Sequence, residues 1–263
     1  MIRMLEVEVR RCLARRLVRW LVAIGVLSCV LISVITRAKV PPSGSPDEFR
    51  LVSLWSPGGD SILGIASFFL LIGAVLGGAS MIGAEWRAGT IGTLLTWEPA
   101  RARVAVAKLV ACGLVAAVIA GLLQVLFCLA FVPAALGRGT TAGVDLDWLQ
   151  SLGGAVLRSS LLVGLAAVLM ASIAVLGRNT SAALGVAFGY MMIFENLLRA
   201  WKPWTTRLLL GENGAILITG DDLATASFSR STFAAGLTLC AYVGGVALVA
   251  VASFWRRDLA SAG

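Results

Sequence analysis

The 263 residues are 59% hydrophobic and 14% charged, with a mean hydropathy of +0.91, whereas a soluble domain is about half apolar and a quarter charged. A water-soluble core is therefore excluded as the organising principle, and apolar runs of about 20 residues, long enough to cross a bilayer as helices, fill most of the chain. The net charge of +8 does not signal nucleic acid, because the charges sit at the ends of those runs.

In chain order, residues 1–19 are the first predicted element. Ile2, Leu5, Val9, Leu13, Leu17 and Trp20 recur at helical spacing among Arg3, Arg10, Arg11, Arg15, Arg16 and Arg19, the pattern of a basic amphipathic helix lying in the headgroup region. A membrane domain over residues 20–258 follows, with spans expected at 20–36, 61–84, 104–132, 152–176, 180–198 and 232–255, and a tail at 259–263. The first span is short, so Arg19 and Arg37 are expected to snorkel at its ends. No small-x-small cleavage site follows it, which makes it a retained anchor and not a signal peptide. Pro41, Pro42 and Pro46 mark an irregular loop after it. Between the fifth and sixth spans, Leu198, Trp201, Trp204 and Leu208 suggest a helix on, or dipping into, the outer leaflet.

Six spans place both ends of the chain on one side, and the positive-inside rule makes that side the cytoplasm. With the N-terminus inside, the cytoplasmic segments carry thirteen of the 22 bases and five of the 14 acids, and hence the whole net charge. The fold class is all-α: six transmembrane helices, an N-terminal interfacial helix and cytoplasmic termini.

Several chemistries lack their residues. The absence of histidine removes the commonest general base, the Ser-His triads and the usual zinc sites. Cys12, Cys29, Cys112, Cys128 and Cys240 form no CxxC pair and read as small packing residues. No lysine follows a glycine, so the phosphate-cradling GxxxxGK[ST] loop is missing. The sequon Asn179, Thr180, Ser181 falls in a turn expected on the cytoplasmic side. Neither a catalytic residue, a metal ligand nor a cofactor of the chain's own is expected.

Three groups of residues remain as candidates. Glu195 is an ionisable residue near the outer end of the fifth span, where it either lines a pathway or pairs with Arg199 one turn later. Gly73 and Gly77 form a GxxxG that permits close helix packing, within the chain or between copies. The third group joins the second and third spans: Glu85, Arg87, Gly89, Thr90, Leu94, Leu95, Pro99, Arg101 and Lys108. A short, charged connection tied to two spans can dock a partner and pass its motion into the membrane.

That third group resembles the corresponding stretch of the type-2 ABC exporter permeases. A glutamate ends the second span, Gly89 and Thr90 follow, then the paired leucines, Pro99, a basic residue and Lys108 opening the third span. Trp97 departs from the pattern, where the family often has a smaller residue. The resemblance also covers the basic N-terminal helix, the six spans, the irregular segment before the last span and the short tail containing Asp258. It implies a permease subunit in a bacterial plasma membrane, paired with a second identical or related permease. It also implies a separate ABC ATP-binding subunit holding the ATP and magnesium. The cargo it implies is a hydrophobic or amphipathic drug, antibiotic, lipid or lipid-linked glycan, carried outward among membrane lipids. Trp201, Trp204 and the sparsely charged spans point the same way. Two other readings stay open on the residues alone: a structural or regulatory membrane subunit without a pathway, and a membrane-embedded lipid-modifying enzyme.

Overall fold

The computed structural model describes residues 2–39, 49–56, 61–90, 100–137, 139–220 and 230–256. A helix in hydrocarbon satisfies every backbone donor and acceptor internally, and the apolar runs take that form. A bent pair opens the chain, α1 (Ile2–Ala14) and α2 (Arg16–Lys39). Next come α3 (Ile62–Arg87), α4 (Arg101–Gly137) and α5 (Leu146–Gly177). The chain ends in α6 (Thr180–Trp201), a short α7 (Leu210–Thr219) and α8 (Thr232–Arg256). Six of these, all but α1 and α7, are long and apolar enough to span a membrane, as in a multi-pass membrane protein. The expected spans fall on these six helices, which overrun them by up to about two turns. The break between α1 and α2 falls at Arg15, so the first spanning helix begins four residues before the expected boundary.

Both described ends lie on the same side of the bundle. Trp86 at the end of α3 meets Phe254 near the end of α8 edge to face, ring centroids 6.3 Å apart, and Cys12 of α1 shares a core with both. We call this the termini face. The opposite, far face is closed by a short turn of 3-10 helix at Leu51–Leu54, whose Leu51 amide donates to the Thr140 carbonyl at 3.0 Å. Leu54 and Trp55 are buried beneath it.

Helix ends are set by local chemistry. Ser61 caps α3 by accepting from the Gly64 amide at 3.1 Å, and Asp145 caps α5 by accepting from the Trp148 amide at 2.8 Å. Arg178 ends α5 in the left-handed region at φ 50°. Asn179 then accepts from the Ser181 amide at 2.9 Å, so the apparent sequon serves as the N-cap of α6.

The hub is α5, more than half of whose spanning portion is buried. Lipid tails are as apolar as leucine, so close backbone approach, not apolar burial, has to hold the spans together. Small residues supply it: Ala167, Ala171 and Ala174 are at most 1% exposed. Cβ atoms added to Gly78 and Gly83 would run into the Ala167 carbonyl and the Thr180 backbone respectively. The expected packing pair behaves differently. A Cβ on Gly73 meets nothing within 4 Å and one on Gly77 meets only Leu21 Cδ1 at 3.9 Å, so the close approaches within this chain fall elsewhere on α3.

Between α6 and α8 the chain turns back at Pro203–Leu208 and α7 climbs antiparallel to α5. Gly214 packs near Leu162. One turn on, the Leu217 carbonyl accepts from Arg158 Nε at 3.2 Å. The helix expected from Leu198, Trp201, Trp204 and Leu208 is not continuous, since α6 ends at Trp201 and Trp204 and Leu208 lie in the turn. The short helix is instead α7, wedged between α5 and α8 with Leu217, Leu162 and Leu239 in one buried cluster.

The glycine geometry gives a test. Gly78→Ala is expected to destabilise the protein by about 1–3 kcal/mol through overpacking, while Gly245→Ala, whose Cβ would meet nothing within 4 Å, leaves stability unchanged or slightly raised. Thermal unfolding in detergent should separate the two variants by several degrees. Equal midpoints would show that α3 and α5 do not meet at Gly78.

Candidate functional site: a buried charge cluster at the termini face

α1 turns a polar stripe inward. Glu8 and Cys12, one turn apart, are 2% and 3% exposed, while Leu13, Leu17 and Trp20 face outward. Arg15 continues the stripe from the break after α1. α3 ends beside this stripe with Glu85, and α4 passes it with Lys108, which is 5% exposed. Lys108 Nζ donates to Glu8 Oε2 at 3.0 Å and lies 2.9 Å from Glu85 Oε2. Arg15 Nη2 donates to Glu85 Oε1 at 2.8 Å, and its Nη1 to the Ser80 carbonyl at 3.0 Å. Arg11 closes the cluster with a 3.1 Å contact to Glu8 Oε1. Glu8 and Lys108 are buried, Glu85 and Arg15 are partly so, and Arg11 reaches in from solvent, so the two buried charges neutralise each other, the condition under which buried charges are tolerated.

The Cys12 thiol is packed against the cluster, 3.1 Å from Met81 Sδ. Burial pushes its pKa up to about 11, outweighing the opposing field of Arg15. Cys12 is consequently an inert packing thiol while α1 is docked.

Of the residues expected in the connecting segment, Glu85 and Lys108 are drawn into this cluster. Arg87 projects outward at the last turn of α3, and Gly89 turns the chain at φ 67°, a conformation that suits glycine. Thr90 Oγ1 donates to the Glu85 carbonyl at 3.3 Å. Arg101 begins α4. Leu94 and Pro99 lie outside the described residues. Just inside, Trp86 lies under the Arg178 guanidinium, 5.1 Å from its ring centroid, so the α5–α6 turn joins the same face.

A second polar group lies toward the far face. Glu195, 3% exposed, accepts from the Gly211 amide at 3.3 Å. A Cβ on Gly211 would collide with that carboxylate. Arg199 lies 3.6 Å from Glu195 Oε1, an ion pair beyond hydrogen-bonding reach, and 2.7 Å from Glu212 Oε1. The expected pairing with Arg199 is present, and the first turn of α7 adds Glu212 to it.

The sequence reading missed Glu8, Arg15 and Glu212. Glu8, Cys12 and Arg15 stand at i, i+4 and i+7, so the polar stripe was there to be read, but the surrounding arginines make α1 look charged on every side. Glu212 had no comparable signal, since its partner is thirteen residues away across an irregular turn. No protein-family model matches the chain, and no curated protein matches it significantly.

Lys108→Met leaves Glu8 only the half-exposed Arg11 and Glu85 only Arg15 and is expected to cost about 1–3 kcal/mol. Glu8→Gln combined with Lys108→Met should cost less than the sum of the single changes, measured by unfolding in detergent. Strict additivity would show that the two side chains do not interact. In a chain whose other four cysteines are alanine, Cys12 should resist alkylation at pH 8, because a thiol titrating near 11 is only about one part in a thousand thiolate there. Lys108→Met should speed the reaction by releasing α1. Rapid labelling of Cys12 in the folded wild-type chain would show that α1 is not docked.

Proposed function

We propose that this chain is the membrane-spanning permease subunit of an ATP-driven exporter of the type-2 ABC kind, docked at its termini face by a separate ATP-binding subunit. The observation that carries this reading is the buried charge cluster. Glu8, Arg15, Glu85 and Lys108 make one body of α1, the end of α3 and the start of α4, around the segment whose residues resemble the family's coupling element. A partner pressing on the α3–α4 connection would move two spans and the N-terminal helix together, not a loose loop.

The termini face is the cytoplasmic face in this reading, because the arginines gathered on α1 and at the ends of α3, α5 and α8 obey the positive-inside bias. The ATP and magnesium belong to the partner subunit. A second copy of the chain, or a related permease, completes the assembly in a bacterial plasma membrane. The cargo is a hydrophobic or amphipathic molecule crossing by alternating access. Arg87 is the docking candidate with its side chain turned outward. Gly89 is the pivot that lets the chain leave α3 at a sharp angle.

Co-purification with the ATPase encoded beside it, followed by ATP turnover, tests the proposal. The wild-type chain should hold the ATPase and raise its turnover. Arg87→Ala should weaken binding about tenfold or uncouple turnover while leaving the unfolding midpoint of the permease nearly unchanged. Gly89→Pro, which cannot reach a positive φ and loses the amide that donates to the Trp86 carbonyl, should weaken binding with a lowered midpoint. A wild-type chain that binds no ATPase defeats the proposal.

A further inference from the structure

The hub helix α5 carries an arginine within its spanning length. Arg158 precedes Gly177, the end of α5 at the termini face, by about 28 Å of helix at 1.5 Å per residue. A hydrocarbon layer is about 30 Å thick, so Arg158 stands at its far boundary, where the headgroups of the far leaflet begin. A charge at that depth is costly unless it is answered.

Among the described residues the answer is partial. Arg158 Nε donates to the Leu217 carbonyl in the last turn of α7 at 3.2 Å, and a helix end carries only about half a negative charge. The Trp55 ring centroid lies 6.0 Å from the guanidinium carbon, at the outer limit of a cation–π contact. Nη1 and Nη2 donate to no described acceptor, and no described carboxylate pairs with them. The group is nonetheless placed with care. A Cβ on Gly154 would stand 3.2 Å from Nη1 and one on Gly220 2.8 Å from Nη2, so glycines on α5 and at the end of α7 leave the room that the guanidinium fills. It is also within reach of lipid. Arg158 is half-buried, and its neighbours on α5, Leu157 and Leu161, are 62% and 54% exposed. An acyl chain lying along these two leucines brings a lipid phosphate to the level of the guanidinium.

We propose that Arg158 binds the phosphate of an anionic phospholipid in the far leaflet, its Nη groups donating to phosphate oxygens while Nε stays on the Leu217 carbonyl. The net negative charge of such a lipid supplies the counter-charge that α7 and Trp55 do not, whereas a zwitterionic lipid brings its own cation. Bound there, the lipid joins α5 to the end of α7. A free phosphate ion offers the same oxygens without acyl chains, and the test separates the two sources. The site goes beyond the exporter reading and does not rest on it.

The full-length chain in dodecyl maltoside micelles is titrated with dioleoyl phosphatidylglycerol, dioleoyl phosphatidylcholine or inorganic phosphate. Apparent affinity is read from the rise of the unfolding midpoint with each probe. Arg158→Gln should bind phosphatidylglycerol about tenfold less tightly than the wild-type chain does, with little change for phosphatidylcholine. Arg16→Gln, at an exposed position on the termini face, should leave both affinities nearly unchanged. Arg158→Lys keeps the charge without the fork and should bind phosphatidylglycerol several-fold less tightly, which decides the matter where Arg158→Gln fails to fold. Asp221 and Asp222 follow Gly220 in the sequence and lie outside the described residues; changing both to asparagine should leave the affinity as it is. Equal phosphatidylglycerol affinity in the wild type and the Arg158 variants would overturn the proposal. Inorganic phosphate binding as tightly as the lipid would overturn it too, by making this a free-anion site. Tighter lipid binding by the doubly substituted aspartate variant would do the same, by showing that the counter-charge is the chain's own. No ATPase enters the experiment, so its outcome is separate from that of the exporter proposal.

Discussion

A lysine with 5% of its surface exposed, on a helix that goes on to cross a membrane, constrains everything around it. An ammonium group cannot be left out of water without a counter-charge, and Lys108 finds two. Each is supplied by a different helix, so one cation decides where α1 lies and where α3 stops. The cluster adds little net stability, since desolvation offsets most of the attraction in buried ion pairs. Its effect is on specificity, because any packing that separates α1 from α3 and α4 strands a charge.

The rest of the bundle obeys a different rule. Without a hydrophobic drive between helices in lipid, association depends on how near the backbones come. The alanines and glycines of α5 bring α3, α4 and the start of α6 to contact distance. α2 presents Ile24, Leu27, Val30 and Leu31 outward and leaves a cleft of about 570 Å³ beside α3, where Gly73 and Gly77 make no close contact within the chain. Small residues permit close approach, and at this pair of helices the approach is not made.

What the sequence discloses follows the same division. Spans were legible because hydrocarbon thickness imposes a length on every apolar run, and the six expected runs fall on the six long helices. Caps were less so: the overrun of α5 past the expected residue 152 rests on Asp145, a single side chain bonding to the Trp148 amide. Glu85 and Lys108 were legible through a patterned segment, yet Glu8 and Arg15, which complete their charges, lie about 70 to 100 residues away. No local period records such a pairing. Gln124 is a single polar residue in an apolar run, and only Ser159 on another helix, whose hydroxyl lies 2.6 Å from its amide, gives it a polar partner.

Arg15 ties the two parts together. It sits at the break between α1 and α2, where the helix has already lost its regular hydrogen bonding. Its guanidinium is fixed to the end of α3 through Glu85 and Ser80, and its side chain also lines the cleft. The far half of α2 is held instead to α4, through Ser33. α2 is thus held to the end of α3 at its base and to α4 along its length, and the cleft lies between these two attachments.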